Sequence, residues 1–293
     1  MLTHLLASPV LPTRTVVIGA GGFVGGAIAK RVAELGGEVM ALSRAQVDLL
    51  APDAAPHLAS LLRAGDAVVA AAAKAPCKEM SMMVDNMIMT KAMIEGVGKV
   101  AVSHIVNISS DAVYADEPLP LKESSPTAPS SMHGAMHLAR EIAFAAEVKA
   151  PAAMLRPTLI YGPADPHNGY GPNRFRRLAQ ANEEIALFGE GEERRDHVFI
   201  GDVGEIALRV LMHRSHGILN IATGTVHSFR SIAEQVVAIA PNKVKISGRP
   251  RPGPMPHKGF RPFDPSAART AFPDFAFTPL ELGLAKSQVE GAR

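Results

Sequence analysis

The sequence predicts an α/β protein built on a doubly wound parallel sheet with a small C-terminal lobe. Three observations favour this class. A glycine-rich turn joins an apolar strand to a helix near the N-terminus, strand-like and helix-like segments alternate through the first half, and the strands are apolar throughout. Continuous apolar strands between helices are typical of a parallel sheet that is covered on both faces.

The elements follow from hydrophobic periodicity. The first strand begins at Thr15 and ends before Gly19, and a helical pattern then continues to Leu35. The segments predicted next are a strand at Glu38–Leu42, part of a helix at Leu58–Leu62, a strand at Ala67–Ala73, a helix at Asn86–Val97, a strand at His104–Ser109, a helix at His133–Glu147 and a strand at Ala152–Arg156. Proline and glycine become frequent from Pro157 onward, as in Gly248–Pro256, which indicates loops.

Composition excludes several classes of function. The chain has 293 residues and a net charge of +2, which argues against a nucleic-acid surface. Cys77 is its only cysteine, so no internal disulfide is possible and a reducing compartment fits. Residues 1–12 do not resemble a signal peptide, and no apolar run reaches the ~18–20 residues of a membrane span. We therefore expect a cytoplasmic protein without a membrane or nucleic-acid partner.

The glycine turn carries the strongest functional signal. Gly19, Gly22 and Gly25 are spaced as in a dinucleotide-binding turn. The first glycine allows the turn, the second lets a pyrophosphate approach the backbone, and the third lets the helix pack closely on the strand. Unpaired N–H groups at the helix start would then hold the phosphate charge. We expect residues 15–160 to form this Rossmann-type core, preceded by an extension at 1–14 and followed by a mixed region at 161–293 that completes the core and adds a substrate-binding lobe.

The end of the second strand indicates which cofactor is preferred. An acidic residue at this position accepts a hydrogen bond from the ribose of NAD, whereas a nearby arginine accommodates the 2′-phosphate of NADP. Here the position is Ser43, and Arg44 follows it. This pattern favours NADP(H), with NAD as the alternative if Arg44 is only a solvated loop charge. Asp48 and Leu49 suit an acceptor for the adenine amino group.

Further motifs occur in a recognisable order. They are Gly19-x-x-Gly22-x-x-Gly25, Ala71-Ala72-Ala73, Asn86-x-x-x-Thr90, Ser109 to Tyr114, Leu155 to Pro163, Arg195 to Val203 and Arg261-x-x-Asp264. In this order the chain, from about Thr15 to Leu284, resembles the extended short-chain dehydrogenase/reductases, and within them the nucleotide-sugar epimerases, dehydratases and reductases. The resemblance implies a cofactor site that includes Phe23, Val24, Ala71, Ala72, Ala73, Asn86 and Pro157 besides the residues above.

The resemblance also implies catalytic residues. Ser110 falls where the family places a Ser or Thr whose hydroxyl bonds the reacting oxygen. Asp111 falls where the dehydratase branch carries an acid. It could protonate a leaving hydroxyl, or it could simply hold a turn.

The chain departs from the family at its catalytic helix. The family has Tyr-x-x-x-Lys, but His133 and His137 stand at these positions. Their spacing still places both on one helix face. An imidazole has a reference pKa of about 6.5, so His133 could exchange the substrate proton, and His137 could hold the ribose hydroxyls. A protein that binds the cofactor without turnover is the alternative. The pair could also ligate zinc, but no third ligand is placed beside it, and we expect no metal.

The substrate is predicted by resemblance as well. Arg195 and Arg261 fall at positions that contact phosphates in the family, and Phe188 and Tyr161 lie in segments that line the substrate. The chain is therefore expected to act on a nucleotide-linked or similar sugar, as an epimerase, dehydratase or reductase. A homodimer through helices that include His133–Glu147 is also implied. Asp202 is predicted to cap a helix that begins near Val203.

Overall fold

The structure is a computed structural model that describes residues 1–291. Its strands are β1 Thr15–Ile18, β2 Val39–Leu42, β3 Ala67–Ala70, β4 His104–Ile108, β5 Ala152–Pro157, β6 Leu159–Tyr161, β7 Ile185–Phe188, β8 Arg194–Phe199, β9 Gly217–Ile221, β10 Val226–Ser228, β11 Ile246–Arg249 and β12 Phe260–Arg261. Its α-helices are α1 Phe23–Glu34, α2 Ala54–Leu61, α3 Met80–Gly98, α4 Met132–Glu147, α5 Pro172–Gln180, α6 Ile200–Met212, α7 Phe229–Ile239, α8 Ser266–Ala271 and α9 Leu280–Glu290.

Six strands form the main sheet in the order β2-β1-β3-β4-β5-β9, and all of its pairs are parallel. This confirms the predicted doubly wound sheet. The chain winds outward from β1 to β2 and then returns to the other side of β1 with β3, so the winding reverses between β1 and β3. Ligands of such sheets bind outside the carboxyl ends of the strands at this point of reversal.

The strands are largely apolar because helices cover both faces of the sheet. Val17 packs with Ile28 of α1 in a cluster that also includes residues of α6. Its neighbour Val16 packs on the other face with Leu58 of α2, in a cluster that includes residues of α3. Successive side chains of a strand point to opposite faces, so each position finds an apolar partner.

A second, smaller sheet is arranged around β8. One half of β8 pairs in parallel with β6 and the other half with β12, while β10 pairs with it antiparallel. The pairing with β12 places Arg261 directly beside Arg195. At the other end of the chain, Thr3 of the N-terminal extension bridges to His216 at the edge of the main sheet. No helix within residues 1–291 has the length and apolarity needed to cross a bilayer.

Three sequence predictions were wrong in detail. The strand predicted to reach Ala73 ends at Ala70, because the ladder to β1 closes with the Ala71 N–H on the Ile18 carbonyl. Helix α3 begins at Met80, six residues before the predicted start at Asn86. The prediction missed its first turns because they expose apolar side chains, so no periodic pattern of buried residues marks them. Asp202 does not cap α6, which begins at Ile200. Its carboxylate accepts from the Thr278 N–H and hydroxyl at 2.7 Å each.

The remaining boundaries shift slightly. The helix predicted around Leu58–Leu62 is Ala54–Leu61, and the strand predicted at Ala152–Arg156 extends to Pro157. The stretch Gly248–Pro256 is not wholly a loop, because its first two residues belong to β11. Frayed ends of this kind are the least predictable feature of an element, since few hydrogen bonds decide them.

Candidate functional site

The glycine turn lies at the carboxyl end of β1 and has no room for side chains. A Cβ on Gly25 would come 2.2 Å from the Gly19 carbonyl oxygen. Gly19 has a φ of +93°, and its Cβ would come 2.6 Å from the Ala72 nitrogen. Helix α1 then begins just after Gly22 without a side-chain cap, so its first N–H groups are available to an anion.

A cavity of about 430 Å³ opens beside this turn. It brings together most of the residues predicted to hold a dinucleotide, which are Gly19, Gly22, Ser43, Arg44, Asp48, Leu49, Ala71, Ala72 and Ala73. Phe23 lies instead in an adjoining cavity between α1 and the loop at 163–166. Backbone that approaches closely, a helix N-terminus and an apolar cleft are what a dinucleotide requires, so the cavity fits that cofactor.

Two cations and one carboxylate line this cavity, with Arg44 and Asp48 after β2 and Lys74 after β3. Arg44 is exposed and pairs with Asp48 at 3.1 Å. The Leu50 N–H and, second, the Arg44 guanidinium hold the pKa of Asp48 below its ordinary value. Lys74, which sequence reasoning missed, lines the same cavity and pairs with Asp85.

Asn86 and Pro157 lie behind the cavity wall. The Asn86 carboxamide accepts from the Lys74 N–H at 2.9 Å and donates to the Lys74 carbonyl at 3.0 Å. Its side chain is fully buried, so it fixes the loop after β3 and does not itself line the cavity. Pro157 is buried at the end of β5. Neither residue lines the cavity, so their predicted contact with the cofactor stays a prediction.

Ser110 and Asp111 follow β4 and form a single 3-10 turn. The Ser110 hydroxyl accepts from the Ala112 N–H at 3.2 Å and lies 3.4 Å from a carboxylate oxygen of Asp111. This turn rests on the first turn of α4, because a Cβ on Gly134 would come 2.0 Å from the Ala112 carbonyl oxygen. The glycine therefore sets how closely Ser110 and His133 approach each other.

The two histidines of α4 lie edge to face, with ring centroids 4.6 Å apart. The Cys77 N–H donates to His133 Nδ1 at 3.3 Å, so this nitrogen is an acceptor and the neutral ring carries its proton on Nε2. Burial lowers the pKa of His133, although the Asp111 carboxylate opposes that shift. His133 is thus a neutral donor at physiological pH.

His137 is more deeply buried than His133. Burial, followed by the neighbouring His133 and Arg140, lowers its pKa well below the ordinary value of 6.5. Its Nδ1 is buried and finds no hydrogen-bond partner among residues 1–291. A buried ring nitrogen without a partner is costly, which indicates that a bound molecule supplies one.

Arg140 is a buried cation that sequence reasoning missed, although it follows His133 by two helical turns on the same face. Its guanidinium donates to the Ala70 and Ala72 carbonyls and to Asn107 Oδ1 at 2.5–2.6 Å. Burial lowers the pKa of Arg140 to about 10, so it stays charged at neutral pH. It brings a positive charge under the wall of the cofactor cavity.

The two arginines predicted to bind phosphate lie together. Arg261 donates from Nη1 to Asp116 at 2.5 Å and from Nη2 to the Asp111 carbonyl at 3.0 Å. Arg195, on the adjacent strand, pairs with Glu193 at 3.2 Å. Burial lowers the pKa of Arg195, and the Asp111 and Glu193 carboxylates oppose the shift. The phosphate-binding candidates thus adjoin the Ser110–Asp111 turn.

The other two substrate candidates differ in accessibility. Phe188 is 38% exposed and packs against Tyr170. Tyr161 is only 1% exposed and packs against Phe199 in the core, so its predicted contact with substrate does not fit this structure. Burial raises the pKa of its phenol, and the hydroxyl faces the Leu280 carbonyl. Among residues 1–291 no group of three or more His, Cys, Asp or Glu side chains is placed to hold a metal ion.

A comparison with protein families matches residues 15–222, more than half of the chain, to the model described as the NAD dependent epimerase/dehydratase family. A curated protein, dTDP-4-dehydro-6-deoxy-D-allose reductase from Streptomyces bikiniensis, is 31% identical over 106 residues. That match covers 33% of this chain and 32% of the reductase, so it spans about a third of either protein.

Solved structures share the fold over nearly the whole chain. UDP-glucose 4-epimerase from Thermotoga maritima, solved with UDP-glucose, has a TM-score of 0.82 at 20% identity and covers 94% of this chain and 98% of its own. UDP-glucose 4-epimerase from Thermus thermophilus, solved with NAD, has a TM-score of 0.80 at 22% identity. The match covers 95% of this chain and 99% of the epimerase. At this identity the likeness shows the fold alone.

Proposed function

The chain belongs to the NAD dependent epimerase/dehydratase family, and we propose that it transfers a hydride between NADP(H) and a sugar attached to a nucleoside diphosphate. One observation carries the proposal: direct contacts connect the glycine turn, the histidine pair and the Ser110–Asp111 turn with their neighbours in the site. The glycine turn touches Ala72, the Cys77 N–H on the loop after β3 bonds His133, and the Ser110–Asp111 turn bonds Arg261. A cofactor cavity, a proton-bearing pair and an anion site therefore adjoin one another.

The residues present fit the family's cofactor, whose nicotinamide supplies the hydride donor or acceptor when it is bound. The backbone at Gly19 and Gly22 receives the pyrophosphate. The His137 Nδ1, which finds no hydrogen-bond partner within residues 1–291, would bond a ribose hydroxyl. Arg140 adds a fixed positive charge near this position, which the family's lysine would otherwise supply.

Ser110 and His133 act on the reacting oxygen. The long contact of the Ser110 hydroxyl with Asp111, 3.4 Å, leaves its proton free to bond a substrate oxygen. His133 presents Nε2–H to the same oxygen. For His133 to take a proton from an alcohol, its ring proton would have to move to Nδ1, where the Cys77 N–H already points. The neutral ring therefore acts as a hydrogen-bond donor to the oxygen of a keto sugar during its reduction, and the proton that completes the alcohol comes from water, because loss of the Nε2 proton would leave an imidazolate.

Net reduction requires a cofactor that is replaced after each turnover, and the NADP(H) preference proposed from Arg44 suits such exchange. The Streptomyces relative is a reductase, whereas the two structural neighbours are epimerases. A tightly retained cofactor would instead support epimerisation or dehydration with Asp111 as the acid. A cofactor-binding sensor without turnover is the alternative from another class, and it predicts no hydride transfer to any sugar.

We expect Arg44→Ala to weaken NADP(H) binding by about 1–3 kcal/mol and to leave NAD(H) binding unchanged. Arg44 follows β2 and lines the cavity where a 2′-phosphate would lie, and NAD lacks that phosphate. Titration calorimetry with both cofactors measures the difference, and NAD serves as the internal control. Equal affinities of the parent for NADP and NAD would contradict this preference.

The substrate class is tested at Arg195. We expect Arg195→Gln to weaken binding of a nucleotide sugar by about 1.5–3 kcal/mol, the usual contribution of a hydrogen bond to a charged group. Glu193 keeps its pair with Arg251, so the substitution does not strand a buried carboxylate. Arg194→Gln is the matched control, because this neighbouring arginine is exposed. Cofactor affinity should not change in either variant.

Binding of UDP-glucose, dTDP-glucose and GDP-mannose to the parent, compared with binding of glucose, tests the proposal as a whole. If free glucose binds as well as its nucleotide forms, or if Arg195→Gln binds like the parent, the substrate class is wrong.

We also propose a homodimer in the cytoplasm. Apolar side chains at helical spacing on α3, Met80, Val84 and Ile88, are exposed together with Ile142 of α4. Such a surface suits an interface between helices of two copies.

A further inference from the structure

A cluster of charges beyond the predicted residues lies where β12 meets the loop after Tyr114. Asp116 Oδ1 accepts from both Arg261 Nη1 and His257 Nδ1, each at 2.5 Å. Arg195 lies beside Arg261 in the adjacent strand. One carboxylate oxygen is therefore held by a guanidinium and an imidazole at the position expected for a substrate phosphate.

We propose that Asp116 occupies a phosphate position, so that a phosphoryl group of the nucleotide sugar displaces it and binds Arg261 together with His257. The inference rests on the proposed function and deepens it. It makes His257 a third phosphate-binding residue and Asp116 an internal competitor of the substrate. Carboxylate and phosphate oxygens offer the same acceptors to a guanidinium, so one can replace the other on Arg261.

Exposure decides which carboxylate is the competitor. Asp111, Asp116 and Glu193 all lie next to the two arginines, but the Asp111 and Glu193 side chains are only 12% and 7% exposed. Asp116 is 39% exposed. A carboxylate that leaves its partner toward water regains hydration, whereas a buried one does not. Asp116 is thus the member that a dianionic ligand displaces most easily.

The loop around Asp116 is held in a way that permits this exchange. Its ends are fixed by main-chain bonds from Ala115 to the Pro126 carbonyl and from Leu121 to the Pro262 carbonyl. Between these ends, a second ion pair joins Glu117 to Lys258 of the facing loop. Their side chains are 65% and 79% exposed. Such exposed pairs contribute little, so they oppose the release of Asp116 only weakly.

The backbone at His257 supports a binding role. His257 and Lys258 both have left-handed φ angles, 52° and 53°, and Gly259 follows with 81°. Two successive residues with side chains are rarely found in this conformation, and it persists where surrounding contacts demand it. The turn holds the His257 ring over Arg261, whose Nη1 lies 2.7 Å from His257 Nδ1. The ring, the guanidinium and the Asp116 carboxylate therefore meet at one point.

The test compares three single variants in the full chain by calorimetry, at fixed salt, with UDP-glucose and inorganic pyrophosphate as probes. Asp116→Asn removes the competing charge and should tighten binding of both probes by about five- to tenfold. His257→Gln removes a donor and should weaken binding by a similar factor. Glu117→Gln is the matched control, since it deletes the same charge on the same loop away from Arg261, and it should bind like the parent.

Binding by Asp116→Asn that equals or falls below that of the parent overturns the inference, as does parent-like binding by His257→Gln. Asp116→Ser replaces the first variant if circular dichroism shows that the asparagine protein is unfolded. The pyrophosphate arm separates the two proposals. If UDP-glucose, dTDP-glucose and GDP-mannose all fail to bind but pyrophosphate shows the predicted pattern, the proposed substrate is wrong and the anion position stands. If nucleotide sugars bind and Asp116→Asn changes nothing, the reverse holds.

Discussion

His133→Ala is expected to slow hydride transfer by about 10²–10³-fold, the usual cost of removing a hydrogen-bond donor from a developing oxyanion. His133 adjoins the Ser110 turn through Gly134, and the Cys77 N–H holds its ring in the tautomer that carries the proton on Nε2. Alanine removes that donor and leaves the cofactor cavity intact. Single-turnover absorbance of the nicotinamide measures the step, and cofactor titration of the same variant shows that binding is retained.

The same step should depend on pH with a defined sign. The working form of His133 is neutral, and burial lowers its pKa below the ordinary 6.5. Activity should therefore be full above this pKa and fall as the pH drops through it, because the protonated ring would meet the Cys77 N–H. A catalytic phenol would titrate near 10 instead. Parent-like turnover by His133→Ala would show that the reacting oxygen does not depend on His133 and would leave Ser110 as its donor.

The double variant His133→Tyr with His137→Lys restores the family's pair and complements this test. In a pocket that still fits the family reaction, it should retain or raise activity. In a protein that has given up turnover, both the parent and the double variant should stay silent while they bind the cofactor.

Gly134→Ala is the second change for which we expect a large effect, a loss of activity on the order of 10²-fold. The added Cβ would lie 2.0 Å from the Ala112 carbonyl oxygen, which is backbone and cannot rotate away. Helix α4 and the Ser110–Asp111 turn must then separate, so Ser110 and His133 no longer reach one oxygen. A displacement of this size is enough to disrupt a catalytic geometry.

Gly98→Ala is the matched control, because it also places a methyl group on a helical glycine and meets nothing within 4 Å. It should leave turnover unchanged. Kinetic constants of the two variants, measured with the same nucleotide sugar, decide the matter. Parent-like activity in Gly134→Ala would show that the contact between α4 and the turn does not set the catalytic geometry.

The fold could be predicted from the sequence because its signals are local. Unbroken apolar strands such as β1 indicate a sheet covered on both sides, and the glycine spacing requires a tight turn followed by a helix. The start of α3 could not be predicted, because its first turns are exposed and carry no burial period. Asp202 was misassigned because its partner, Thr278, is distant in sequence.

The site was predictable only where a motif exists. Ser110, His133 and the glycine turn were predicted by motif and spacing; the turn follows β1, Ser110 follows β4, and His133 lies on α4 beside the Ser110 turn. Asp116 and His257 were missed because their contact joins two loops 141 positions apart, and neither loop carries a pattern. Long-range ion pairs of this kind are decided by tertiary packing, which a single sequence does not reveal.

The central claim is that this chain moves a hydride between NADP(H) and a nucleotide-linked sugar with a histidine pair in place of the family's Tyr and Lys. The most direct measurement mixes the NADPH-loaded protein with UDP- and dTDP-linked 4-keto sugars and follows the absorbance of the reduced nicotinamide over a single turnover. We predict a loss of absorbance equivalent to one hydride per site, which disappears in His133→Ala. A protein that binds NADPH and these sugars without any absorbance change would contradict the claim.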